Sequence, residues 1–400
     1  MRILEVDTYL GLKKIMQDIG VDKRGLEIMH PKAISYLVKL NNICNIAANI
    51  LKQEMLSLGA DCAIARGALT GQVKKTDCLL MGNSSQFSRL NNKLRLQPFG
   101  LGKLSKELSS VLANYNRDVF VLQLDNYRLK LGQHTLIMGI VNLTPDSFSG
   151  DGLYKVSNLK SQVSSIIDFV EKIVRDGADI IDVGGESSRP GARPVSIKEE
   201  LNRTIPIIKK IAKKIKIPIS IDTYKPEVAK AALDCGASMV NDITGLRNKK
   251  MAKVVAKYGC AVTVMHMKGK PRDMQKNPTY QSLIDEIIEY LEGSIKIALG
   301  AGINKEKIIV DPGIGFGKTL EHNLAILKSL KEFKVVGRPI MVGTSRKSFI
   351  GKILNEPEQN RLAGTLASCL VAARNGADIL RVHDVKEVKQ ALKVLDAITQ

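Results

Sequence analysis

Residues that can bind and orient a polar ligand are concentrated where one short apolar segment ends. The segment Leu136–Val141 is apolar, and Asn142 opens the polar, turn-forming run NLTPDSFSG that follows it. A solvated loop requires no such density of donors and acceptors, so the run predicts a strand end that presents chemistry, followed by a glycine-containing flap. The same pattern recurs seven more times downstream, which distinguishes it from an ordinary connection.

Carboxylates, amides and cations occupy the ends of all eight apolar segments. In chain order they are Asn142; Asp182 with GGESSRPGA (184–192); Asp222; Asn241 with Asp242; His266; Asp311 before PGIGFGK; GTSRKS (343–348); and Arg381 with His383. Each by itself fits a helix cap or a salt bridge, but together they predict one polar site. Acceptors gathered in a partly buried site require donors. We expect an anionic group of the ligand to pair with three cations, Lys347, Arg381 and His383.

A flat aminopyrimidinone fits this set of residues, because its adjacent N–H donors match a carboxylate. Asp311, Asp222 and Asn241 would then surround its edges. The guanidinium of Arg381 is planar and would lie on its face. This interpretation predicts a donor-rich, flat and partly anionic substrate.

The glycine-rich run PGIGFGKT (312–319) is not a phosphate-binding loop, because the position five before Gly317 is Pro312. We interpret it as a loop that lets the backbone approach a flat ligand closely, with Phe316 as a stacking wall. The chain contains no His-Glu-x-x-His motif, which argues against catalytic zinc.

Alternating strands and helices must hold these residues in place. The predicted strands are Leu136–Val141, Asp179–Val183, Ile217–Ile221, Met239–Val240 with the residues just after, Ala261–Met265, Ile308–Val310, Pro339–Val342 and Asp378–Val382. Three segments, DGADIIDVGG (176–185), CGASMVNDIT (235–244) and NGADILRVHD (375–384), share Gly-Ala, an apolar run and then polar residues. In each, glycine ends a helix and the apolar run enters a buried parallel sheet.

Eight such units in about 260 residues predict an α/β fold, a (β/α)8 TIM barrel in which the carboxyl end of every strand faces one mouth. A doubly wound open sheet is the alternative, but it gives no reason for eight polar strand ends. The barrel is expected to span residues 135–400.

Residues 1–134 differ in pattern and predict a smaller α+β domain of unknown role. Its expected helices are Pro31–Leu58, Ser84–Leu96 and Leu104–Tyr115, and its expected strands are Cys62–Leu69, Thr76–Gly82 and Val119–Leu124. We find no group of residues in it that carries chemistry. Arg66 and Gly67 are better explained by a structural turn than by a ligand loop.

The net charge of +20 suits anionic partners. Nucleic acid is not expected, because aromatic residues make up only 4% of the chain and no basic run has interleaved aromatics. None of the six cysteines forms Cys-x-x-Cys, so we expect reduced thiols. No apolar run reaches the length of a membrane span. We therefore expect a cytoplasmic protein that binds small molecules and no membrane.

Residues from about 136 to 397 resemble dihydropteroate synthase from end to end. The motifs GIVNLTPDSFS, DVGGESSRPGA, SIDTYKP, NDITG, MHM, VDPGIGFGK, SRKS and RVHD stand in the order and spacing of that family. The resemblance implies condensation of (7,8-dihydropterin-6-yl)methyl diphosphate with 4-aminobenzoate, with release of diphosphate and with magnesium. It also implies a homodimer formed through late helices. Residues before 135 lie outside it and resemble only an extension that some members carry.

The resemblance assigns roles to matching positions. Asp222, Asn241, Asp311 and Lys347 would hold the pterin, with Arg381 stacked on it and Asp182 supporting its floor. Asn142 would bind magnesium and, with Arg381 and His383, the diphosphate. Ser188, Arg189, Pro190 and Phe316 would surround the 4-aminobenzoate, and Ser348 would receive its carboxylate. The implied catalytic residues are Asn142, Lys347, Arg381, His383 and Asp151.

Two positions depart from the family pattern. Ser188 stands where threonine is usual, so the hydroxyl is kept and the methyl contact is lost. The first loop reads SFSGDG instead of SFSDGG, which places the acidic residue at Asp151, one position late. A carboxylate that stabilises a cationic intermediate would therefore act from a position one residue later in this chain.

Two other functions are weaker explanations of the same residues. A methyltetrahydrofolate methyltransferase uses a related pterin-binding barrel and explains Asp222, Asn241 and Asp311, but not ESSRPG, SRKS or RVHD. A pterin-binding protein without catalysis is disfavoured, because the residues for the leaving group, Asn142, Arg381 and His383, are all present. Diphosphate release with both substrates distinguishes the three.

Overall fold

The computed structural model describes residues 1–4, 9–124, 126–144, 159–187, 189, 191–270 and 272–399. The chain forms two compact units, Met1–Ala113 and Asn114–Gln400. Within the described residues, no helix is both long and apolar enough to cross a lipid bilayer.

The first unit contains a three-stranded antiparallel sheet with the order β1-β3-β2 and helices packed on it. The strands are β1 (Ser35–Cys44), β2 (Asp61–Ile64) and β3 (Lys75–Asn83), and the described helices are α1 (Tyr9–Asp18), α2 (Lys23–Ala33), α3 (Asn45–Ser57), α4 (Arg66–Leu69), α5 (Ser84–Leu94) and α6 (Leu101–Tyr115). Its core is aliphatic, with Phe87 fully buried at its centre. The predicted α+β character is confirmed.

The predicted helix Pro31–Leu58 is wrong, because its first half is strand β1. In β1, Tyr36, Val38 and Leu40 pack on the core, whereas Leu37 is 73% exposed. This alternation has the period of a strand, and β1 pairs antiparallel with β3 from Ser35 opposite Asn83. The apolar residues also fit helical spacing, and only the pairing decides between the two. The predicted strand Cys62–Leu69 likewise divides into β2 and the short helix α4.

Eight parallel strands form the sheet of the second unit, in the order β11-β10-β9-β8-β7-β6-β13-β12. They are β6 (Leu136–Asn142), β7 (Ile180–Gly184), β8 (Ile219–Asp222), β9 (Met239–Asp242), β10 (Ala261–Met265), β11 (Ile308–Asp311), β12 (Met341–Val342) and β13 (Ile379–Val382). A parallel bridge between Val310 and Ile340 joins the two ends of this order and closes the barrel. The predicted (β/α)8 barrel is confirmed.

Helices on the outside connect the barrel strands. Those described are α7 (Leu159–Arg175), α8 (Ile197–Ile211), α9 (Pro226–Asp234), α10 (Lys249–Tyr258), α11 (Leu283–Gly300), α12 (Leu320–Lys328), α13 (Ser348–Leu354), α14 (Leu362–Arg374) and α15 (Val385–Thr399). Gly177, Gly236 and Gly376 follow three of them with φ of 108°, 108° and 96°. These are the glycines of the three similar segments, and their left-handed backbone ends each helix as the pattern predicted.

A hairpin covers the amino-terminal end of the barrel. Its strands, β4 (Phe120–Leu124) and β5 (Tyr127–Leu131), bury Phe120, Leu122 and Leu131 against the first residues of barrel strands. The sequence placed the domain boundary at residues 134 and 135, after this hairpin. The compact units instead divide between Ala113 and Asn114, because the apolar face of the hairpin is part of the barrel core.

Candidate active site

Four neighbouring strands place their polar ends side by side. Asn142, Gly184, Asp222 and Asn241 are successive register partners across β6, β7, β8 and β9. Register partners in a parallel sheet share a face, so all four residues face the inside of the barrel. Gly184 carries no side chain, and a Cβ placed there would lie 3.5 Å from Asn142 Oδ1 and 3.6 Å from Asp222 Cβ. The glycine therefore keeps a space open between these two side chains.

Arg381 joins the carboxylates of this group. Its Nε donates to Asp182 Oδ2 at 2.6 Å, and its Nη2 donates to Asp222 Oδ2 at 2.7 Å. Asn241 Nδ2 donates to the same Asp182 oxygen at 3.1 Å. Residues from four strands far apart in sequence thus form one hydrogen-bonded cluster, as the sequence predicted for a single mouth.

Burial changes the pKa of an ionisable group in this cluster and leaves other polar atoms without partners. It raises the pKa of Asp222 to about 7, although Arg381 acts in the opposite direction. Asp182 Oδ1 and Asn241 Oδ1 are buried, and neither has a hydrogen-bond partner in the described part of the chain. Buried acceptors without partners are costly. These two oxygens are therefore suited to accept N–H groups of a ligand.

Asp311 and Lys347 lie at the next part of the mouth, beside the glycine-rich loop. Asp311 Oδ1 accepts a hydrogen bond from Gly313 N at 2.7 Å, and burial raises the pKa of this carboxyl. Lys347 Nζ donates to the carbonyl of Ile314 and lies 4.8 Å from the ring centre of Phe316. Burial lowers the pKa of Lys347 to about 8, against the opposing effect of Asp311. The structure thus brings the predicted Asp311, Lys347 and Phe316 together.

The pH dependence of kcat/KM is expected to be bell-shaped. Asp222 has a pKa raised to about 7 and loses its charge as pH falls through that value. Lys347 has a pKa lowered to about 8 and loses its charge as pH rises through that value. Because kcat/KM reports the free enzyme, both limbs should appear in it. Lys347→Arg should remove the alkaline limb, since arginine stays protonated. A flat profile between pH 6 and 9 would contradict this prediction.

Asn142 is the residue whose side chain suits magnesium. Its amide oxygen is a hard ligand, and the space over Gly184 separates it from Asp222. Among the described residues, no three His, Cys, Asp or Glu side chains form a metal-binding group. Magnesium commonly takes one or two protein ligands and completes its shell with water and substrate phosphates. The donor set therefore fits a magnesium ion that binds together with a diphosphate.

His383 follows β13 and is half-buried at the mouth. Its Nδ1 lies 3.1 Å from Ser345 Oγ. Burial lowers its pKa to about 3, and the nearby Arg346 and Arg381 act in the same direction. The sequence counted His383 as a cation, whereas here it is neutral near pH 7 and offers an N–H donor instead of a charge.

The residues predicted for 4-aminobenzoate are only partly described. Arg189 lies at the surface, and its Nη2 donates to Glu358 Oε1 at 2.6 Å. Ser348 is exposed at the first position of α13, directly after Lys347. Ser188, Pro190 and Asp151 lie outside the described residues, so the predictions made for them stay predictions.

Two of the strand-end residues predicted from the sequence, Asp242 and His266, contact other groups of the protein. Asp242 accepts hydrogen bonds from Thr244 N at 2.8 Å and from Leu246 N at 2.9 Å, which stabilises its own loop. His266 Nδ1 lies 2.8 Å from the buried Nζ of Lys318. Their polar character at a strand end was a correct observation, but it did not distinguish a ligand site from loop stabilisation.

Two ion pairs next to the site were not predicted. Arg346 donates to both carboxylate oxygens of Asp384, at 3.1 and 2.5 Å, and so joins the loop after β12 to the end of β13. Lys225 joins Glu186 to Glu200. All but Glu200 of these residues stand inside the quoted motifs SRKS, RVHD, SIDTYKP and DVGGESSRPGA. The motifs were the available signal, but spacing along the chain does not reveal the pairing.

Known proteins show the same sequence and fold. The profile of the family described as pterin binding enzyme matches residues 138–383. A dihydropteroate synthase of Synechocystis is 46% identical over 269 residues, which are 67% of this chain and 91% of that protein. A crystal structure of the Xanthomonas albilineans dihydropteroate synthase with 4-aminobenzoic acid superposes with a TM-score of 0.65 and 39% identity, over 70% of this chain and 98% of that one.

One relative also covers the amino-terminal unit. A probable bifunctional folylpolyglutamate synthase/dihydropteroate synthase of Halobacterium salinarum is 36% identical over 393 residues. The match includes 98% of this chain and 46% of that protein. The amino-terminal unit therefore has a counterpart joined to a similar barrel in another protein.

Proposed function

This chain belongs to the pterin-binding enzymes and, among them, to the dihydropteroate synthases, and we propose that the polar cluster at the mouth of its barrel binds both substrates. The chain is a transferase of folate biosynthesis. It joins (7,8-dihydropterin-6-yl)methyl diphosphate to 4-aminobenzoate and releases diphosphate. The assignment of roles to individual residues is our proposal.

The unpartnered oxygens of Asp182 and Asn241 support pterin binding at this place. Both are buried beside Arg381 and Asp222, and a pterin carries the N–H groups that they lack. Asp311 adds a third buried acceptor. Arg381 already holds the two aspartates by its edge, which leaves the face of its planar guanidinium available to a stacked ring.

The chemistry requires orientation and charge stabilisation more than a strong base. The C–O bond to the diphosphate breaks, the amine nitrogen of 4-aminobenzoate forms the new C–N bond, and that nitrogen releases a proton. The arylamine is neutral near pH 7, so its lone pair is available without a base. Arg381 and Lys347 place positive charge at the mouth, and His383 places an N–H donor there. Such preorganised charges stabilise a departing anion.

Magnesium is proposed as the cofactor, with Asn142 as its protein ligand. When bound, magnesium supplies positive charge that offsets the charge of the departing diphosphate. Asn142 itself orients the leaving group from the end of β6. Its place in register with Gly184 and Asp222 supports this role, because the pterin and the diphosphate are then held over adjacent strands.

We place 4-aminobenzoate over Phe316, between Arg189 and Ser348. Phe316 offers an aromatic wall beside Lys347, and the exposed Ser348 offers a hydroxyl at the start of α13 for the carboxylate. We assign Ser188 and Pro190 to this 4-aminobenzoate site only because the resemblance to the family implies that role.

The function is tested by incubating the chain with both substrates and magnesium. We expect equimolar dihydropteroate and diphosphate, separated by chromatography and by a phosphate-coupled assay. Omission of 4-aminobenzoate is the control for hydrolysis of the diphosphate substrate. Pterin binding without either product would contradict the assignment of catalysis.

A homodimer is proposed through α12, α13 and α14. These helices pack against one another and leave large apolar side chains on the surface: Leu324, Ile353, Leu354, Leu362 and Val371. Exposed large apolar side chains on neighbouring helices are typical of an interface between subunits.

Val371→Asp is expected to convert a dimer into a monomer, because the carboxylate would be buried without a partner at the interface. Val371 is 46% exposed in the single chain, so the substitution should not unfold it. The mass is measured by sedimentation velocity. Ile297→Asp, on α11 and 39% exposed, is the matched control and should remain dimeric. Equal masses for both variants would contradict this interface.

We also propose a cytoplasmic location. All six cysteines are free thiols, and four of them are buried, which suits a reducing compartment. Fractionation of cells that express the chain would test it, and recovery of the protein outside the cytoplasmic fraction would contradict it.

A further inference from the structure

A buried ion-pair network stands beside the mouth, outside the cluster that we assign to the substrates. Its centre is Lys225, directly before α9. Lys225 Nζ donates to Glu186, to Glu200 Oε2 at 2.6 Å and to the carbonyl of Val195 at 2.6 Å. The side chains of Lys225 and Glu186 are each 12% exposed, and that of Glu200 is 1% exposed. The three N–H donors of the ammonium group thus meet three acceptors.

The network joins the two ends of one active-site segment. Glu186 lies two residues after the end of β7, whereas Val195 precedes α8 and Glu200 lies in its first turn. Lys225 therefore holds Glu186 at a fixed distance from Val195 and Glu200. Tyr224 OH donates to the other oxygen of Glu186 at 2.8 Å, which holds the first end a second time.

The segment between Glu186 and Glu200 borders the proposed substrate site. Glu186, Glu200 and Tyr224 line one pocket together with Asp222, and the segment carries Arg189. Burial by itself would lower the pKa of Lys225, but its hydrogen bonds with Glu186 and Glu200 hold that pKa above the ordinary value. Lys225 therefore remains charged over the whole working range of pH. The span of the segment does not change with pH in that range.

We propose that Lys225 is a positioning residue for 4-aminobenzoate, which it serves by fixing both ends of residues 186–200 and so the place of Arg189. Lys225 touches neither substrate in this account. Asp222 has its own ion pair with Arg381, so the pterin half of the site does not depend on Lys225. The inference rests on the proposed function and predicts an effect confined to one of the two substrates.

The test compares Lys225→Met with Lys230→Met in the full chain. Lys230 forms an exposed ion pair with Asp234 on α9 and is the matched control. For Lys225→Met we expect KM for 4-aminobenzoate to rise about tenfold to hundredfold, as for a group displaced by about an ångström. The Kd of the pterin diphosphate, measured by calorimetry, should stay within about twofold. Lys230→Met should change neither quantity.

Glu186→Ala tests the same proposal. Unlike Lys225→Met, it leaves no buried carboxylate without its cation. It releases the first end of the segment and leaves the pair between Lys225 and Glu200, so folding is not at risk. It should raise KM for 4-aminobenzoate in the same way, at a temperature well below the Tm of every variant. An unchanged KM in Glu186→Ala, or a parallel loss of affinity for both substrates, would overturn the proposal. Product formation by the unaltered chain and by Lys230→Met reports separately on the proposed function.

Discussion

Replacing Arg381 by methionine is expected to lower kcat/KM by about three orders of magnitude, because in our proposal this one side chain serves both substrate binding and leaving-group stabilisation. In the folded protein Arg381 is the partner of Asp182 and of Asp222. Without it, these two carboxylates lose the one cation that pairs with both of them. The pKa of Asp222, already about 7, would rise further and remove the ionised acceptor near neutral pH.

The same substitution should also destabilise the fold. Removing one partner of a buried ion pair typically costs about 3–5 kcal/mol. Steady-state kinetics and thermal unfolding of Arg381→Met measure the two effects. Arg338→Met is the control, because the side chain of Arg338 is only 10% exposed and forms an ion pair with Glu306 near the opposite end of the barrel. It should lose stability and keep its kcat. More than a tenth of the original activity in Arg381→Met would contradict the assigned role.

Replacing Asn142 by alanine is expected to reduce kcat about a hundredfold to a thousandfold and to change the Kd of the pterin diphosphate by less than about threefold. In our proposal Asp182 and Asn241 hold the pterin edge from β7 and β9, whereas Asn142 stands at the end of β6. Asn142 Oδ1 instead points toward the space over Gly184. Loss of Asn142 should therefore lower kcat through slower departure of the diphosphate, and it should change the affinity for the pterin ring less.

The comparison variant is Asn142→Asp, which keeps an oxygen ligand at the same place. It should retain more activity than alanine and should need less magnesium for half-maximal turnover. Single-turnover kinetics with magnesium titration separate binding from chemistry. Equal and small effects of Asn142→Ala on turnover and on pterin affinity would contradict the role of Asn142 in leaving-group departure.

Burial explains why the charge states at the mouth were harder to predict than the residues. Arg381 and His383 stand two residues apart at the end of the same apolar run, and no local pattern there distinguishes a charged side chain from a neutral one. Burial lowers the pKa of His383 to about 3. The same burial is outweighed for Arg381 by Asp182 and Asp222, which hold its pKa above the ordinary value. The difference comes from neighbours supplied by β7 and β8.

Local patterns were sufficient for the barrel and for the residues at its mouth. A short apolar run preceded by Gly-Ala and followed by polar residues contains its own start and stop signals, since glycine ends the helix and polar side chains end the buried strand. Asp182, Asn241 and Arg381 were found in this way, and Asp222 was found at the end of another apolar run. The four residues do form one cluster.

Some features were determined only by the tertiary structure. They are the segments whose pattern fits two kinds of secondary structure and the residue pairs whose members lie far apart in the chain. The apolar spacing of Ser35–Cys44 fits a helix as well as a strand, and pairing with β3 selected the strand. The hairpin Phe120–Leu131 joined the barrel because its apolar face is buried there. Lys225 pairs with Glu186 and Glu200 only in the folded chain, where two loops meet the first turn of α8. Pairing and burial are properties of the folded chain, and no local run of residues contains them.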